Sequence, residues 1–106
     1  HTRAPFADGW KYEGQPVIIS EYGGIAYRTE EAKDWGYGNA ASSERELLER
    51  MRDLTSAIVD VAGCQGYCYT QFTDVMQEKN GLLTEDRKPK ADPAEIRKIN
   101  SVMRKT

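Results

Sequence analysis

Glu21 is the residue best placed to do chemistry, because its carboxylate follows a short apolar run and precedes two glycines. The run at residues 16–19 is rich in β-branched side chains and predicts a strand that ends near Gly23 and Gly24. A carboxylate in such a position is costly to bury without partners. At the mouth of a sheet it suits a reacting group, with small glycines that let a substrate approach closely. The alternative is an ordinary solvated carboxylate at the rim of the sheet, and the pattern alone leaves both interpretations open.

Side chains for most other kinds of catalysis are scarce. The single histidine is His1, which argues against Ser-His-Asp and Cys-His catalysis and against a cluster with zinc-ligand spacing. In a strand, Cys64 and Cys68 would lie about 13 Å apart, at roughly 3.3 Å per residue, whereas a disulfide needs Cα atoms within about 7 Å. We therefore expect the two cysteines to be small buried apolar residues. The sequence predicts no metal site and no cofactor, and it leaves carboxylates as the carriers of any chemistry.

Composition and charge are those of an ordinary soluble globular chain. Of the 106 residues, 39% are hydrophobic and 30% are charged, and the net charge is −2. With a pI near 5.4, we expect one domain with no electrostatic footprint for nucleic acid or anionic membrane. No apolar run approaches the roughly 20 residues of a transmembrane helix. Residues 1–5 lack an initiator Met and the apolar core of a signal peptide, so we expect an excised or processed piece of a longer protein, whose compartment is left open.

Two helices are predicted by capping residues and apolar periodicity. The first begins after Ser43, which forms a capping box with Glu46, and ends at Gly63. The second has Asp92 as its N-cap, with Glu95 completing a second box. The expected apolar stripe of the first helix comprises Leu47, Met51, Leu54, Ile58 and Val61, and that of the second comprises Ile96, Ile99 and Met103.

The remaining elements complete an alternating α/β order. Residues 66–73 predict a second strand, residues 25–41 and 74–91 predict long loops, and the basic run at 87–90 is expected to be a solvated turn. Each strand is therefore followed by a long loop and a helix, while the connection from the first helix to the second strand is short. This asymmetry is typical of an α/β barrel, whose active site is built from the loops at the carboxyl ends of its strands.

Two blocks of sequence carry a resemblance to a known family. Residues 16–24 resemble the seventh strand of the catalytic barrel in glycoside hydrolase family 2, the family of β-galactosidases and β-glucuronidases. Residues 66–75, with the segments 77–83 and 86–90, resemble the eighth strand and the loop beyond it. The blocks come in the family's order and together cover most of the chain. The resemblance implies that residues 1–106 are the C-terminal part of a TIM (β/α)8 barrel, comprising strands seven and eight with their helices.

The same resemblance implies a chemistry for Glu21. In the family, the glutamate of the seventh strand is the nucleophile of a retaining glycosidase, and Glu21 matches it. Such enzymes use two carboxyl groups about 5–5.5 Å apart, one to attack the anomeric carbon and one to protonate the leaving oxygen and then activate water. The family's acid/base glutamate follows an Asn at the end of the fourth strand, and no such block occurs here. The resemblance thus implies part of a β-galactosidase-like enzyme that cleaves terminal β-glycosidic bonds, and a piece that is inactive on its own.

Further residues are candidates for binding the sugar. Polar side chains at the end of the second strand and on the following loop could meet sugar hydroxyls, and a ring in the first long loop could stack on a sugar face. The alternative for each is loop capping or packing. These candidates are Thr70, Gln71, Asp74, Glu78, Asn80 and Trp35 with its neighbour Tyr37. Many family members carry a Trp near the end of strand eight, where this chain has Tyr69, Thr70 and Phe72.

The expected partners follow from the absence of the first six barrel strands from this sequence. A β-galactoside or related β-glycoside is the expected substrate, and the missing N-terminal part of the same protein is the expected binding partner. Open strand edges and the apolar faces of Val17, Ile19, Tyr67 and Tyr69 would favour self-association of the isolated chain. The alternative function is a non-catalytic α/β carbohydrate-binding or interaction module that uses its aromatic loops.

Overall fold

A computed structural model describes residues 9–28, 40–61 and 63–101 of the chain. Its elements are β1 (Val17–Gly23), α1 (Glu44–Val59), β2 (Cys64–Thr70) and α2 (Pro93–Asn100). The two strands pair in parallel, and since parallel neighbours need a crossover between them, α1 supplies that connection. The described residues therefore form a small α/β unit in which each strand precedes a helix, in the order that the sequence predicts.

β1 ends where two glycines take backbone conformations that other residues avoid. Gly23 has a φ of 108° and Gly24 has a φ of 66°, in a region that residues with a Cβ rarely occupy. A Cβ on Gly23 would lie 2.7 Å from Cε2 of Tyr69 on β2, so a larger residue there would collide with the neighbouring strand. The predicted end of the first strand is confirmed, and its glycines serve both the turn and the close approach of β2.

α1 begins as the sequence predicts, but its cap is arranged differently. Ser43 is the N-cap, and its Oγ accepts the backbone N–H of Glu46 at 3.1 Å. The Glu46 carboxylate in turn accepts the backbone N–H of Ser42 at 3.0 Å and the Ser42 hydroxyl at 2.7 Å, and these bonds lower the pKa of Glu46. The capping contact therefore reaches one residue further back than a capping box and orders the residue that leads into the helix.

The predicted end of this helix at Gly63 is wrong. α1 ends at Val59, and Asp60 is its C-cap. The N–H of Val61 bonds the carbonyl of Ile58, only three residues back, at 3.1 Å. The last turn therefore tightens, and Gly63, with a φ of 80°, belongs to the turn that leads into β2.

The buried face of α1 differs from the predicted apolar stripe. Leu47 and Met51 are fully buried and Thr55 is 1% exposed, so the buried positions repeat every four residues. Leu54, which the periodicity placed in the stripe, is 38% exposed, and that part of the prediction is wrong. Thr55 takes the buried position because its hydroxyl bonds the Tyr22 hydroxyl of β1 at 2.8 Å, which satisfies a buried polar group.

The core lies between the two helices and the segments that follow the strands. Its buried side chains are Ile25, Ala41, Leu47, Met51, Ala91 and Ile99, with Tyr27, Leu48, Tyr69, Leu82 and Ile96 packed against them. Of these residues, none belongs to β1, and Tyr69 alone belongs to β2. The sheet is therefore one wall of the unit, and most of the apolar burial is supplied by the helices and by the residues around them.

β2 and α2 carry two smaller corrections. β2 spans Cys64–Thr70 rather than residues 66–73. Residues 71–73 instead leave the strand and contact residues 80–83 of the loop that follows. Asp92 caps α2, and its own N–H donates to Oε2 of Glu44 at 3.0 Å. Glu44, at the start of α1, thus fills the role predicted for Glu95 and ties the two helix N-termini together.

The buried stripe of α1 predicts a large difference between two leucines of the same helix. Leu47→Ala removes a fully buried side chain and should lower the free energy of unfolding by about 2–5 kcal/mol. Leu54→Ala, at a site 38% exposed, should lower it by less than about 1 kcal/mol. Urea unfolding followed by circular dichroism measures both variants. Equal losses would show that Leu54 belongs to the core, as the periodicity alone predicts.

Candidate functional site

The pairing register of β1 and β2 is irregular at Glu21. Their paired residues on either side of it are Ile19 with Tyr67 and Tyr22 with Tyr69. Between these pairs β1 carries two residues and β2 carries one, which is the arrangement of a β-bulge. Bulges of this kind redirect a side chain and are common beside active sites.

The bulge decides which face of the sheet Glu21 occupies. Regular alternation would place Glu21 on the face of Val17 and Ile19, which are half-buried. Instead Ser20 and Glu21 are both exposed, and Tyr22 is half-buried. The extra residue thus turns Tyr22 towards α1 and leaves Glu21 on the opposite face, which we call the open face of the sheet.

Other exposed strand side chains accompany Glu21 on the open face. Cys68, opposite the bulge, is exposed, and Ile18 is 64% exposed. Within the described ranges, the Glu21 carboxylate forms no hydrogen bond or ion pair with another side chain. It is therefore accessible to a molecule that approaches this face.

The prediction that both cysteines are small buried apolar residues is wrong. Cys64 is half-buried and Cys68 is exposed, both as free thiols, because Cys68 lies opposite the bulge rather than in a core. Ile18 is an exposed large apolar side chain of β1, because alternation puts it on the open face. The side chains whose apolar faces are predicted to favour self-association are half-buried, and they are Val17, Ile19, Tyr67 and Tyr69.

Tyr22 anchors β1 on the helix side. Its hydroxyl lies 2.8 Å from the Thr55 hydroxyl of α1, and its ring packs edge-on against those of Tyr67 and Tyr69, with centroids 5.4 and 5.3 Å away. Burial raises the pKa of Tyr22 and raises the pKa of Tyr69 to about 12, so both phenols are neutral at physiological pH. The side of the sheet opposite Glu21 is thus closed by a neutral aromatic cluster.

The loop after β2 folds back on itself, so that its first limb, residues 71–74, contacts its second limb, residues 80–83. The Gln71 N–H donates to the Asn80 carbonyl at 3.3 Å, and the Leu82 N–H donates to the Gln71 carbonyl at 3.0 Å. Gly81 is required by the close approach of the limbs, since a Cβ on it would lie 2.3 Å from the carbonyl carbon of Thr73. The loop therefore holds a defined shape beside the carboxyl end of β2.

A buried lysine fixes this loop to the segment that follows β1. The Lys90 side chain is 1% exposed, and its Nζ donates to Oδ1 of Asp74 at 2.7 Å. The same nitrogen donates to the carbonyls of Tyr27 at 2.7 Å and Lys79 at 3.0 Å, so all of its N–H groups are used. The prediction that residues 87–90 form a solvated turn is wrong for Lys90, because its charge is matched by a buried carboxylate.

Sequence reasoning missed Lys90 because nothing local distinguishes it from its exposed neighbours. Lysines are rarely buried unless they are paired, and its partner Asp74 lies 16 residues away in the chain. Burial lowers the pKa of Lys90, while the Asp74 carboxylate opposes that lowering. The pair is therefore a feature of the folded loop and not of any short motif.

Several predicted site residues meet at the carboxyl edge of the sheet. The Thr70 carbonyl accepts the Gly24 N–H at 2.9 Å, which joins the two strand ends. A Cβ on Gly24 would lie 3.9 Å from Nδ2 of Asn80, so Asn80 lies beside Gly24, three residues after Glu21. Nε2 of Gln71 and Oδ1 of Asn80 are buried and have no hydrogen-bond partner in the part of the chain that the structure describes.

The other predicted site residues take different positions. Asp74 is buried, and its Oδ1 accepts the Gly81 N–H at 2.9 Å in addition to the lysine bond, which is the loop-capping arrangement that was its alternative. Glu78 is exposed in a tight turn of the same loop. Trp35 and Tyr37 lie outside the described residues.

The edge combines one accessible carboxylate with polar side chains. The Glu21 carboxylate can act as a nucleophile or accept hydrogen bonds. The side-chain amides of Gln71 and Asn80 can both donate and accept hydrogen bonds. Among residues 9–28, 40–61 and 63–101, no group of three or more His, Cys, Asp or Glu side chains is placed to hold a metal ion. Neither described helix has the length and apolar character needed to cross a membrane.

Comparison with known proteins does not identify the chain. No family model matches it, and no curated protein matches it. A function for the chain therefore has to be proposed from its own residues and contacts.

Removing the buried lysine should cost far more stability than removing an exposed one beside it. Lys90→Met leaves the Asp74 carboxylate buried without its cation and should lower the free energy of unfolding by about 3–5 kcal/mol. Lys88→Met removes a side chain that is 78% exposed and should change that free energy by less than about 0.5 kcal/mol. Urea unfolding at neutral pH measures both. Similar small changes in the two variants would contradict the buried ion pair.

The raised pKa of Tyr69 predicts a loss of stability at alkaline pH. Burial raises its pKa from 10.0 to about 12, so the folded state favours the neutral phenol. This stabilisation is complete below about pH 10 and is lost as the pH rises towards about 12. The loss should reach at most about 2 kcal/mol, because the ring is only partly buried. Tyr69→Phe should lose less stability over the same range, as measured by urea midpoints, and parallel losses in both proteins would contradict the assignment.

Proposed function

We propose that this chain contributes the nucleophile, Glu21, to the active site of a retaining β-glycosidase. The observation that supports this most directly is the bulge in β1, which leaves Glu21 exposed on the open face of the sheet. In parallel α/β barrels the reacting groups lie near the carboxyl ends of the strands. Glu21 lies in the last three residues of β1, and the helix side of its strand is already filled by Tyr22.

In this proposal the Glu21 carboxylate attacks the anomeric carbon of the sugar. The bond from that carbon to the leaving oxygen breaks, and the leaving oxygen takes a proton from a carboxylic acid supplied by another part of the active site. The product is a glycosyl ester on Glu21. Water then attacks the anomeric carbon, gives a proton to the second carboxylate, and releases Glu21 and a sugar with its original configuration.

The polar groups around the edge suit a sugar as the substrate. A sugar presents adjacent hydroxyl groups, each of which donates and accepts hydrogen bonds. Nε2 of Gln71 is a buried donor and Oδ1 of Asn80 a buried acceptor, neither with a partner among the described residues. Buried polar atoms of this kind are uncommon in folded proteins and call for a partner such as a ligand, a water or a further part of the chain. A terminal β-galactoside or a related β-glycoside is the substrate class that we propose.

The described sheet supplies only part of such a site. It has two strands, so the outer edge of each strand has no neighbour within the described ranges, and Ile18 is 64% exposed on the open face. Strand edges of this kind pair readily with further strands. We therefore propose that other strands of the same protein complete the sheet and carry the acid, and that this chain in isolation is inactive and self-associates.

Glu21→Gln in the complete gene product tests the nucleophile. The substitution keeps the shape of the side chain but removes its charge, so the turnover of an aryl β-galactoside should fall by roughly 10⁴-fold. Glu13→Gln is the matched control, because Glu13 is an exposed glutamate near the opposite end of β1. Initial rates of phenol release measure both variants. Near-normal turnover by Glu21→Gln would refute the assignment.

A mechanism-based label separates catalysis from simple binding. An aryl β-glycoside that carries fluorine on the carbon next to the anomeric carbon still forms the glycosyl ester on the nucleophile. The fluorine then slows the hydrolysis of that ester. The protein should therefore gain the mass of one fluorosugar, on a peptide that contains Glu21. A non-catalytic carbohydrate-binding module would instead bind a galactoside without turnover and without this gain in mass.

A further inference from the structure

We infer that Tyr22 is a positioning residue for Glu21 and that it acts by holding the bulge of β1 in register. The inference rests on the proposed role of Glu21 as nucleophile, and it adds the contact that keeps this carboxylate on the open face. Tyr22 is the next residue in the chain, and its hydroxyl bonds α1, on the side of the sheet away from the open face.

Two registers can be compared for this stretch of β1. With the bulge, Glu21 lies on the open face and Tyr22 faces α1. Without it, regular alternation would put Glu21 on the face of Ile19 and Tyr22 on the open face. A slip of one residue moves every following side chain to the other face, so whatever holds Tyr22 on the helix side also holds Glu21 on the open side.

A buried hydrogen bond opposes this slip. Thr55 is 1% exposed, and its Oγ1 lies 2.8 Å from the Tyr22 hydroxyl. Turning Tyr22 to the open face would leave the Thr55 hydroxyl buried without this partner, which is unfavourable. The contact therefore favours the bulged register over the regular one.

Aromatic packing against β2 opposes the slip as well. The Tyr22 ring stands at 86° to that of Tyr67 and at 88° to that of Tyr69, at centroid distances of 5.4 and 5.3 Å. These are the edge-to-face geometries that aromatic pairs favour. Gly23 follows directly, and its lack of a Cβ makes room for the Tyr69 ring, which a Cβ would approach to 2.7 Å. Tyr22 is thus held by β2 and by α1 together.

The chemical consequence is a defined direction for the nucleophile. An attacking oxygen has to lie about 3–3.5 Å from the carbon that it attacks, and a misplacement of about 1 Å can cost about 100-fold in rate. Loosening Tyr22 should therefore slow the attack of Glu21 on the sugar more than it weakens sugar binding, because the attack is made only in the transition state.

Thr55→Val in the complete gene product tests the contact by kinetics. Val keeps the shape of Thr but lacks the hydroxyl, so kcat for an aryl β-galactoside should fall about 10- to 100-fold with little change in KM. Tyr22→Phe, which keeps the ring and loses the hydroxyl, should behave in the same way. Thr55→Ser keeps the hydroxyl and should retain most of the activity. Assays well below the melting temperature of each variant separate this effect from unfolding.

Carboxyl labelling gives a second measurement that does not depend on activity. In the 106-residue chain, a carbodiimide with an amine should modify Glu21 about as fast as the exposed Glu13, and more slowly in Tyr22→Ala, where the register is free to slip. Unchanged kcat in Thr55→Val, or unchanged labelling of Glu21 in Tyr22→Ala, would overturn the inference. Normal turnover by Glu21→Gln would refute the nucleophile instead, and the labelling would still decide whether Tyr22 orients Glu21.

Discussion

The parallel register of β1 and β2, with the extra residue of β1 between Ile19 and Tyr22, is the constraint that the other contacts of the sheet satisfy. Parallel strands need a crossover, so α1 has to lie across one face, and its buried positions continue to Thr55, whose hydroxyl reaches Tyr22. Tyr22 packs edge-on against rings of β2, and Gly23 has no Cβ to obstruct that approach. Each of these contacts favours the same register. That register also puts Glu21 on the face that α1 does not cover.

A second constraint acts on the residues beyond the strands. Lys90 is a buried charge, and a buried charge is tolerated only when it is paired and hydrogen-bonded. Its Nζ therefore holds Asp74 and the carbonyls of Tyr27 and Lys79 at one geometry. A buried ion pair adds little stability compared with apolar side chains of the same volume. The main effect of the Lys90–Asp74 pair is therefore to fix the positions of the segments that it joins. It sets the segment after β1 against the loop after β2, with Gly81 allowing the two limbs of that loop to meet.

The two constraints converge on the carboxyl edge of the sheet. There an exposed carboxylate, Glu21, lies three residues before Gly24, which is bonded to the end of β2 and lies beside Asn80. Catalysis through a covalent intermediate needs this combination of a reactive group and rigid surroundings. Glycoside hydrolysis also needs a proton for the leaving oxygen. The proposed role of Glu21 therefore requires a second carboxyl group from another part of the active site.

The sequence by itself determined the elements and the place where they meet. Local patterns were enough to predict β1, α1 and α2. The signals are a β-branched run that ends at two glycines and the helix caps at Ser43 and Asp92, and each depends only on residues close by in the chain. Because the ends of parallel strands lie at one edge, the sequence also predicted that the end of β1 and the end of β2 lie side by side. The tertiary structure alone decided which way Glu21 faces, because alternation by itself puts it on the helix side. The contact that favours the other side joins Tyr22 to Thr55, 33 residues apart, and the lysine that fixes the loop is likewise paired across 16 residues. Such choices depend on which distant groups meet in the folded chain, and no local pattern records them.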